Sequence, residues 1–372
     1  MKSGGEKIIC RLKELRQSMG WSQTELARRV GVKRQAVYDM ESGKYVPNTA
    51  LALRLARQMA CRVEDLFFEK IPEIEQPVTL VETPEREDTR IEVANVRGRL
   101  VGYPLAGKRA FNHGFRPADG LLNTEGDGVK LLYPQETIDQ TIVLLGCDPA
   151  FSILQAHVLR HTPAVRMQYR FTSSYNALQG LAAGHAHIAG THLHNTSSGE
   201  ANVSLARSFL KGTEAKVIAF SLLEEGLMVA PGNPLGIRDA RDLAGGRVRL
   251  VNREQGAALR TLLDDYLNRL GVAPNTVTGY NNEAHSHTEG AQKVAFGFAD
   301  AALGFRAVAN AFELDFVPIQ VARCDLVVPC DQVDSPSMRI LLDTLQSGSL
   351  RKELRALPGY ESSRTGDVIA EF

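Results

Sequence analysis

The stretch Ser22–Lys44, SQTELARRVGVKRQAVYDMESGK, decides the fold of the first part of the chain. Ser22 stands three residues before Glu25, which is the spacing of a helix-capping box. Apolar residues then recur at helical period as far as Val30. Gly31 follows at the position where helices commonly end in a left-handed conformation. The pattern therefore predicts a short helix that stops in a tight turn.

A second helix is predicted for roughly Lys33 to Glu41. Its apolar residues Ala36, Val37 and Met40 recur on one face and should turn inward. The polar residues of the same segment fall on the outer face or its flanks, namely Lys33, Arg34, Gln35, Tyr38 and Asp39. Two helices around a glycine turn, the second with exposed Arg and Gln, have the form needed to read the DNA major groove.

The wider segment, residues 11–68, resembles the five-helix helix-turn-helix domain of the phage-repressor family (Cro/C1, or XRE). The resemblance rests on spaced matches: Gln23, ELA at 25–27, Gly31, ESGK at 41–44, Pro47, the apolar helix LALRLARQM and the ending VEDLFF. It implies that Gln23 holds a phosphate, that Arg34 and Gln35 reach base edges, and that Asp39 lies at a further base-facing position. Arg16 and Glu41 match an internal salt bridge of that family. The residues expected at double-stranded DNA are Gln23, Lys33, Arg34, Gln35, Tyr38, Asp39 and Lys44.

The composition of the 372 residues agrees with a DNA-binding head. The formal net charge is zero, yet residues 1–70 hold 14 Lys and Arg against 8 Asp and Glu, while residues 71–95 hold 2 against 7. A basic head followed by an acidic tether indicates that only the head contacts phosphate. The five cysteines are scattered without zinc spacing, and there is no signal-like or membrane-length apolar segment. We therefore expect reduced thiols and a cytoplasmic protein with no membrane partner.

The chain is predicted to be multi-domain. Residues 1–70 form the all-α head, and residues 71–90, with three prolines and many charges, form an extended linker or a loosely docked arm. Residues 91–138 contain strand-like and loop-like stretches whose membership the sequence leaves open. Residues 139–372 alternate apolar strands with helices, which predicts an α/β domain of parallel sheets with ligand crevices at the strand ends.

The second domain also resembles a family, the substrate-binding domains described as molybdate-binding-like, which are relatives of type II periplasmic binding proteins. The residues that carry the resemblance are GCDPA at 146–150, AHIAGTHL at 186–193, EEGLMVAPGNPLGI at 224–237, VNREQGAALRTLLDDYL at 251–267 and GYNNEAHSH at 279–287. The resemblance implies two α/β lobes around a cleft, with the chain crossing between lobes near Leu227–Pro231 and again near Val317–Val328. It is less specific about the ligand than about the fold.

Two helix starts in this domain are predicted to suit an anion, one at Ser173 and Ser174 and one at Arg253, Gln255 and Gly256. Free backbone N–H groups and the helix dipole make such ends attractive to an oxyanion, although plain N-capping by the serines is an equal alternative. The ligand-site candidates are Asp148, Ser173, Ser174, Thr191, His192, Asn252, Arg253, Gln255, Tyr280, Glu283 and His287. Because a carboxylate repels an oxyanion, Asp148 and Glu283 either hold the hinge or face a ligand with donor groups.

No metal, cofactor or catalytic site is expected. The histidines fall in two segments, His185, His187, His192 and His194 in one and His285 and His287 in the other. They alternate as strand-borne metal ligands can, yet no carboxylate or cysteine completes a known spacing. Phosphate loops and nucleophile motifs are also missing from the sequence.

The expected protein is a ligand-responsive transcriptional regulator that is not an enzyme. It would bind a pseudo-palindromic operator as a homodimer and sense a small anion, with molybdate or tungstate favoured. Two alternatives stay open: a regulator that senses an organic metabolite, and an oxyanion-binding or storage protein in which the head only dimerises.

Overall fold

The computed structural model describes residues 8–69, 75–83, 89–106, 115–194 and 200–372. The chain divides by its contacts into two compact units, residues 1–74 and residues 75–372. Within the described ranges, no helix is both long and apolar enough to cross a lipid bilayer.

The first unit is helical, as its sequence predicts. Its five helices are α1 (Leu12–Ser18), α2 (Gln23–Val30), α3 (Arg34–Glu41), α4 (Thr49–Gln58) and α5 (Val63–Leu66). The Ser22 hydroxyl caps α2 by accepting the backbone N–H of Glu25 at 3.1 Å, and Gly31 ends the helix with a φ of 69°. The predicted capping box is one-sided, because the Glu25 carboxylate turns to Arg28 and Arg29 instead of the Ser22 N–H.

The helices of the head enclose an apolar core of their own. The side chains with no exposed surface in this core are Leu12, Leu26, Val37, Met40, Leu55 and Leu66. Two short strands, which the sequence did not predict, join the ends of the unit: β1 (Ile8–Cys10) pairs antiparallel with β2 (Phe67–Glu69). The turn between α2 and α3 is thus held in a closed helical unit.

The second unit begins with a six-stranded sheet. Its strands are β3 (Glu75–Pro77), β4 (Thr79–Leu80), β5 (Arg90–Val96), β6 (Arg99–Pro104), β7 (Gly120–Leu122) and β8 (Gly128–Leu131), in the spatial order β3-β8-β7-β5-β6-β4. The prediction of a linker over residues 71–90 is therefore wrong for residues 75–80, because β3 pairs with β8 and β4 pairs with β6. Residues 71–74 and 84–88 of that range lie outside the described residues.

This small sheet packs on the rest of the second unit, so residues 91–138 belong to that unit. One side of the sheet has its own core around Ile91 and Val129. From β5 and β6, Val96 and Tyr103 share another core with Val143 of the following strand. Helix α6 (Gln135–Asp139) then leads into the large sheet.

A ten-stranded sheet forms the centre of the second unit. Its strands are β9 (Thr141–Gly146), β10 (Arg166–Phe171), β11 (Ile188–Thr191), β12 (Ala215–Val229), β13 (Leu250–Arg253), β14 (Glu283–Ala284), β15 (Ala301–Phe305), β16 (Asp315–Pro329), β17 (Tyr360–Glu361) and β18 (Val368–Glu371). The main order is β10-β9-β11-β16-β12-β15-β13-β14, and β17 and β18 pair with β12. The sheet is mixed and not parallel throughout, because β12 and β16 run antiparallel to their neighbours.

The two 15-residue strands β12 and β16 divide the sheet into two lobes. Residues 215–219 of β12 pair with residues 325–329 of β16. This part of β16 also pairs with β11, and together with β9 and β10 these strands form the first lobe. Residues 225–229 of β12 pair with β15 in the second lobe. The chain therefore crosses between lobes at about 220–224 and 320–324. The second crossing lies inside the predicted range, whereas the first precedes the predicted Leu227–Pro231, because β12 continues unbroken into the second lobe.

Helices cover both lobes: α7 (Phe151–His161), α8 (Ser174–Ala182), α9 (Ala201–Phe209), α10 (Ala258–Arg269), α11 (His287–Ala295), α12 (Arg306–Ala311), α13 (Cys330–Val333), α14 (Pro336–Leu345) and α15 (Gly348–Ala356). The helices α8, α10 and α11 begin at the edge of the sheet where the lobes meet, which positions the site described next.

Candidate functional site

The outer face of α3 presents most of the residues expected at DNA. Lys33, Arg34, Gln35 and Tyr38 are exposed. Lys44, also exposed, holds its ammonium 5.7 Å from the centre of the Tyr38 ring. The half-buried Asp39 accepts a hydrogen bond from the Gln35 amide at 3.0 Å. An exposed helix with an Arg, a Gln and two Lys side chains at its borders can meet base edges and phosphates together.

Gln23 is engaged inside the head. Its Nε2 donates to the Glu41 carboxylate at 2.8 Å, and its Oε1 accepts from Arg34 Nε at 3.4 Å. The same carboxylate accepts from Arg16 at 2.6 and 3.1 Å, as the resemblance implied. Burial alone would raise the pKa of Glu41, but the hydrogen bonds from Arg16 and Gln23 outweigh it and lower that pKa. The network fixes α1, α2 and α3 to one another, and the phosphate contact of Gln23 stays a prediction.

In the second unit, the two lobes close on a small cavity of about 10 Å³, room for about one water molecule. The first lobe contributes Cys147, Ser173 and His192, and the second contributes Arg253, Ala257, Ala258, Leu259 and His287. Three helices start at this cavity, α8 after its cap Ser173, α10 at Ala258 and α11 at His287. Helix N-termini present free N–H groups and a positive dipole end, so the convergence favours negative charge.

Arg253 supplies the positive side chain of this cavity. It ends strand β13 and does not open a helix, contrary to the prediction, since α10 begins five residues later. Its Nε donates to the Ala284 carbonyl at 3.1 Å, its Nη1 lies 3.1 Å from His287 Nδ1, and its Nη2 donates to Glu254 at 2.8 Å. A guanidinium has five N–H donors, so in the described part of the chain two remain without an acceptor.

His287 has one ring nitrogen that lacks a partner. Because Arg253 can only donate, Nδ1 of His287 must accept, and the neutral ring then carries its proton on Nε2. Burial, followed by the neighbouring Arg253 and His192, lowers the pKa of His287 well below its ordinary value, so the ring is neutral. Its Nε2 is buried with no hydrogen-bond partner among the described residues. The centre of the His287 ring lies 4.0 Å from the centre of the Phe305 ring, and this packing fixes the position of the unused Nε2 donor.

A chain of polar groups runs from the first lobe to Glu225 in the second-lobe half of β12, and the sequence reasoning missed its members Cys147 and Glu225. Cys147 Sγ is 3.1 Å from His192 Nδ1, His192 Nε2 is 3.6 Å from Glu225, and His194 Nε2 is 2.5 Å from the same carboxylate. Burial raises the pKa of Cys147 and lowers that of His192 to about 4, so the thiol donates to a neutral imidazole. Glu225 has no exposed surface. An acidic residue within the apolar strand EGLMVAP was the signal that could have pointed to it.

Comparison with known proteins agrees with the division into two domains. A family model described as the PBP superfamily domain matches residues 155–346, which are 192 of the 372 residues. The chain belongs to the PBP superfamily. A helix-turn-helix family model matches residues 12–66. The chain thus joins a DNA-binding helix-turn-helix head of the XRE type to a PBP-like ligand-binding domain, which confirms the fold that the two resemblances implied, whereas molybdate as the ligand stays a prediction.

Some relatives match nearly the whole chain, and others match only the head. The uncharacterized protein YvgK of Bacillus subtilis is 26% identical over 361 residues, which is 96% of this chain and 100% of that protein. An uncharacterized HTH-type transcriptional regulator of Archaeoglobus fulgidus is 46% identical over 58 residues, 16% of this chain and 83% of that protein. Among solved structures, a putative phosphate ABC transporter substrate-binding protein from Clostridium perfringens gives a TM-score of 0.46 at 9% identity, covering 60% of this chain and 99% of that one.

The PBP-like domain brings five predicted ligand residues to its cleft. Ser173, His192, Arg253 and His287 line the cavity. Ser174 lies beside them with its hydroxyl accepting the His192 backbone N–H at 3.2 Å. The two serines do serve as structural partners, because Ser173 also caps α8 by accepting the N–H of Asn176. Each hydroxyl keeps its own proton, so both remain able to donate to a ligand.

Asp148 lies outside the cavity and joins the crossing strands of the PBP-like domain. Its carboxylate accepts from Tyr360 at 2.6 Å, from the Ala150 N–H at 2.9 Å and from Ser221 at 3.4 Å. Burial raises its pKa despite these hydrogen bonds. Ser221 belongs to the crossing of β12, and β17 with Tyr360 pairs beside it. Of the two predicted roles for Asp148, its contacts fit the hinge.

The other predicted ligand residues are not brought into the cavity. Thr191 and Asn252 are both buried. The Thr191 hydroxyl donates to the Asp325 carbonyl, and the Asn252 amide donates to the Tyr280 carbonyl. Gln255 is exposed. The Tyr280 hydroxyl donates to Asp264 at 2.6 Å, and Glu283 lies 3.6 Å from Arg260, so both contact half-buried residues of α10 that do not line the cavity.

Of the histidines considered for a metal, His187 is a structural residue. Its Nδ1 accepts the backbone N–H of Val143 at 3.0 Å, and its Nε2 donates to the Asn95 carbonyl at 3.0 Å. Burial lowers its pKa to about 4. Both ring nitrogens are used to fasten the small sheet to the first lobe.

Proposed function

We propose that the chain is a ligand-responsive, sequence-specific transcriptional regulator. Its head would bind double-stranded DNA through α3, and its PBP-like domain would bind a small anionic effector between the lobes. The observation that supports this most is the closed cavity, where Arg253 keeps two N–H donors and three helix N-termini converge. Such a regulator acts in the cytoplasm, where the DNA is. The proposed function includes no catalytic step.

The anion would be held by donors from both lobes. Ser173 and Ser174 belong to the first lobe, whereas Arg253 and His287 belong to the second. The present cavity has room for about one water molecule, so the lobes must part slightly to admit an oxyanion. A ligand that accepts from all four residues then shifts the population toward the arrangement in which both lobes contact it. Molybdate and tungstate, tetrahedral oxyanions with four acceptor oxygens, are the simplest ligands of this kind and are our first candidates.

On DNA, we propose that two chains act as a homodimer on a pseudo-palindromic operator. A single α3 offers few base contacts, so two half-sites are needed for tight and specific binding. Ligand binding would then change operator affinity by linkage, since any difference in ligand affinity between two dimer arrangements shifts their balance.

A second candidate effector is an organic metabolite with a donor group. Glu225 is fully buried next to His192, and one of its oxygens lacks a hydrogen-bond partner among the described residues. A bare oxyanion near this carboxylate is repelled, whereas an amine or hydroxyl can donate to it. The observation favours a ligand that carries both an acid group and a donor.

The experiment is a thermal-shift screen of the full-length chain. The panel holds molybdate, tungstate, sulfate, phosphate and a set of amino and hydroxy acids. A compound present at one hundred times its dissociation constant should stabilise the protein by about 2.7 kcal/mol. A shift with molybdate or tungstate alone supports the oxyanion effector, and a shift with organic acids alone supports the second candidate. No shift with any anion contradicts the proposal.

The alternative of an oxyanion-storage protein, whose head only dimerises, is tested by measuring how DNA binding depends on salt. For a DNA-binding head, the affinity for random duplex DNA should fall steeply with salt, because Lys and Arg side chains displace counterions from phosphates. A flat dependence would favour storage.

A further inference from the structure

A second, larger cavity of about 470 Å³ opens beside the small one. Its walls come from three parts of the second unit. Ser152 and Tyr169 belong to the first lobe, His287 and Thr288 belong to the second lobe, and Arg116 comes from the segment between β6 and β7 of the small sheet. Its volume falls in the range of pockets that hold organic ligands, roughly 300–1,000 Å³. An inorganic oxyanion would occupy only a fraction of it.

Arg116 is the charged residue among the described residues that line this cavity, since His287 is neutral. Its Nε pairs with Glu92 at 2.8 Å, and its Nη1 donates to the Tyr169 carbonyl at 3.1 Å. Those two contacts orient the guanidinium. Within the described part of the chain its Nη2 has no acceptor. The Glu92 carboxylate is shared with the buried Arg170, so it neutralises Arg116 only in part.

His287 connects the two cavities. Its ring lines both, and it is 2% exposed. Nδ1 accepts from Arg253, and the buried Nε2 proton has no partner among the described residues. A buried donor without an acceptor is costly, so its position implies that a ligand atom supplies the acceptor. Arg253 and His287 line the small cavity, His287 and Arg116 line the large one, and His287 is therefore common to both.

We propose that, among organic effectors, the site takes an acid with two anionic groups. One group is held at Arg253 and the helix N-termini, and the second, a carboxylate or phosphate, is held by Arg116. Phe171 at the wall of the larger cavity packs on the carbon skeleton between them. This inference rests on the proposed anion site. It gives the small sheet a function, because the sheet supplies the residue that distinguishes a diacid from a monoacid.

The test compares acids of equal length by titration calorimetry on the full-length chain. The pairs are butyrate with succinate, pentanoate with glutarate and hexanoate with adipate, and 3-phosphonopropionate represents a phosphorus-containing second group. At least one diacid should bind about tenfold or more tightly than its monoacid, the usual contribution of a charge-assisted hydrogen bond. Arg116→Gln should abolish that difference while leaving the monoacid affinity within about twofold.

The matched control is Arg99→Gln, an exposed arginine of the same small sheet that does not line the cavity. It should change neither affinity. If a diacid and its monoacid bind equally, and Arg253→Gln abolishes both, the anion site stands and the second subsite is refuted. If Arg116→Gln weakens both acids alike, Arg116 only supports the fold and the inference is also refuted. If no acid of either kind binds but molybdate or tungstate does, the anion site stands and the inference is refuted; if none of these anions binds while operator binding persists, the anion site itself fails.

Discussion

Replacement of Arg253 by glutamine should remove most of the affinity for an anionic effector while leaving the PBP-like domain folded. The glutamine amide can still donate to the Ala284 carbonyl, and Glu254, whose side chain is 23% exposed, can be hydrated once its partner is lost. The lost interaction is the pair of N–H groups that have no acceptor in the described part of the chain and that we expect a ligand to use. Two charge-assisted hydrogen bonds at about 1.5 kcal/mol each give about 3 kcal/mol, or roughly 150-fold in Kd.

The assay is titration calorimetry of the full-length chain with whichever anion of the screen binds the wild type. Arg249→Gln is the matched control, because Arg249 belongs to the same lobe, is exposed, and pairs with Asp300 away from the cavity. It should bind like the wild type. An Arg253→Gln protein that keeps its thermal stability and binds the anion within about threefold of wild type would refute the reasoning, since donor loss must cost affinity.

Three further outcomes are expected. Arg34→Ala should weaken binding to the cognate operator by about 1–3 kcal/mol in a gel-shift titration, because it removes a base-edge contact. Glu41→Ala should destabilise the head by about 3–5 kcal/mol, because the buried Arg16 loses its counter-charge, and urea unfolding followed by tryptophan fluorescence measures this. As pH falls from about 6.5 to 4, the second unit should lose about 3 kcal/mol of stability for each of His187 and His192. The unfolded chain binds these protons first, so circular dichroism should show lower urea midpoints across that window.

Each of these outcomes has a control. Arg57→Ala alters an exposed arginine on α4, away from α3, and should leave operator affinity unchanged. The fluorescence reports the head alone, because Trp21 is the single tryptophan of the chain. Replacing the exposed His161 by glutamine should not change the pH dependence. Equal operator affinity for Arg34→Ala, an unchanged midpoint for Glu41→Ala, or a stability independent of pH between 6.5 and 4 would contradict the corresponding reasoning.

The head could be predicted closely because its signals are local. Ser22 caps a helix within three residues, and Gly31 ends that helix by its own conformation, so neither depends on distant parts of the chain. The α/β character of residues 139–372 was also readable from apolar runs. The small sheet was harder, since a strand such as Glu75–Pro77 is only three residues long and pairs with residues more than 50 positions away. Short strands acquire their structure from that pairing.

The cleft was partly predicted, and its errors have a common cause. Ser173, Arg253 and His287 could be chosen because they stand next to strand ends or helix starts, where ligands gather. Tyr280 and Glu283 satisfy the same rule, yet they contact Asp264 and Arg260 of α10, which do not line the cavity. Which side a loop residue faces is decided by packing between elements, which the sequence pattern does not contain. Arg116 was missed for the same reason, since only the docking of the small sheet brings it to the cavity.

If a ligand bound in the cleft of the PBP-like domain controls the head, it must change the affinity of the head for its operator. This affinity is measured by fluorescence anisotropy of an operator duplex, selected from random DNA, with the full-length chain in the absence and presence of a saturating cleft ligand. We expect a change of at least about fivefold in operator Kd, in either direction, and Arg253→Gln should abolish it. An operator Kd that is the same with and without a ligand shown to bind would contradict control of the head by the cleft.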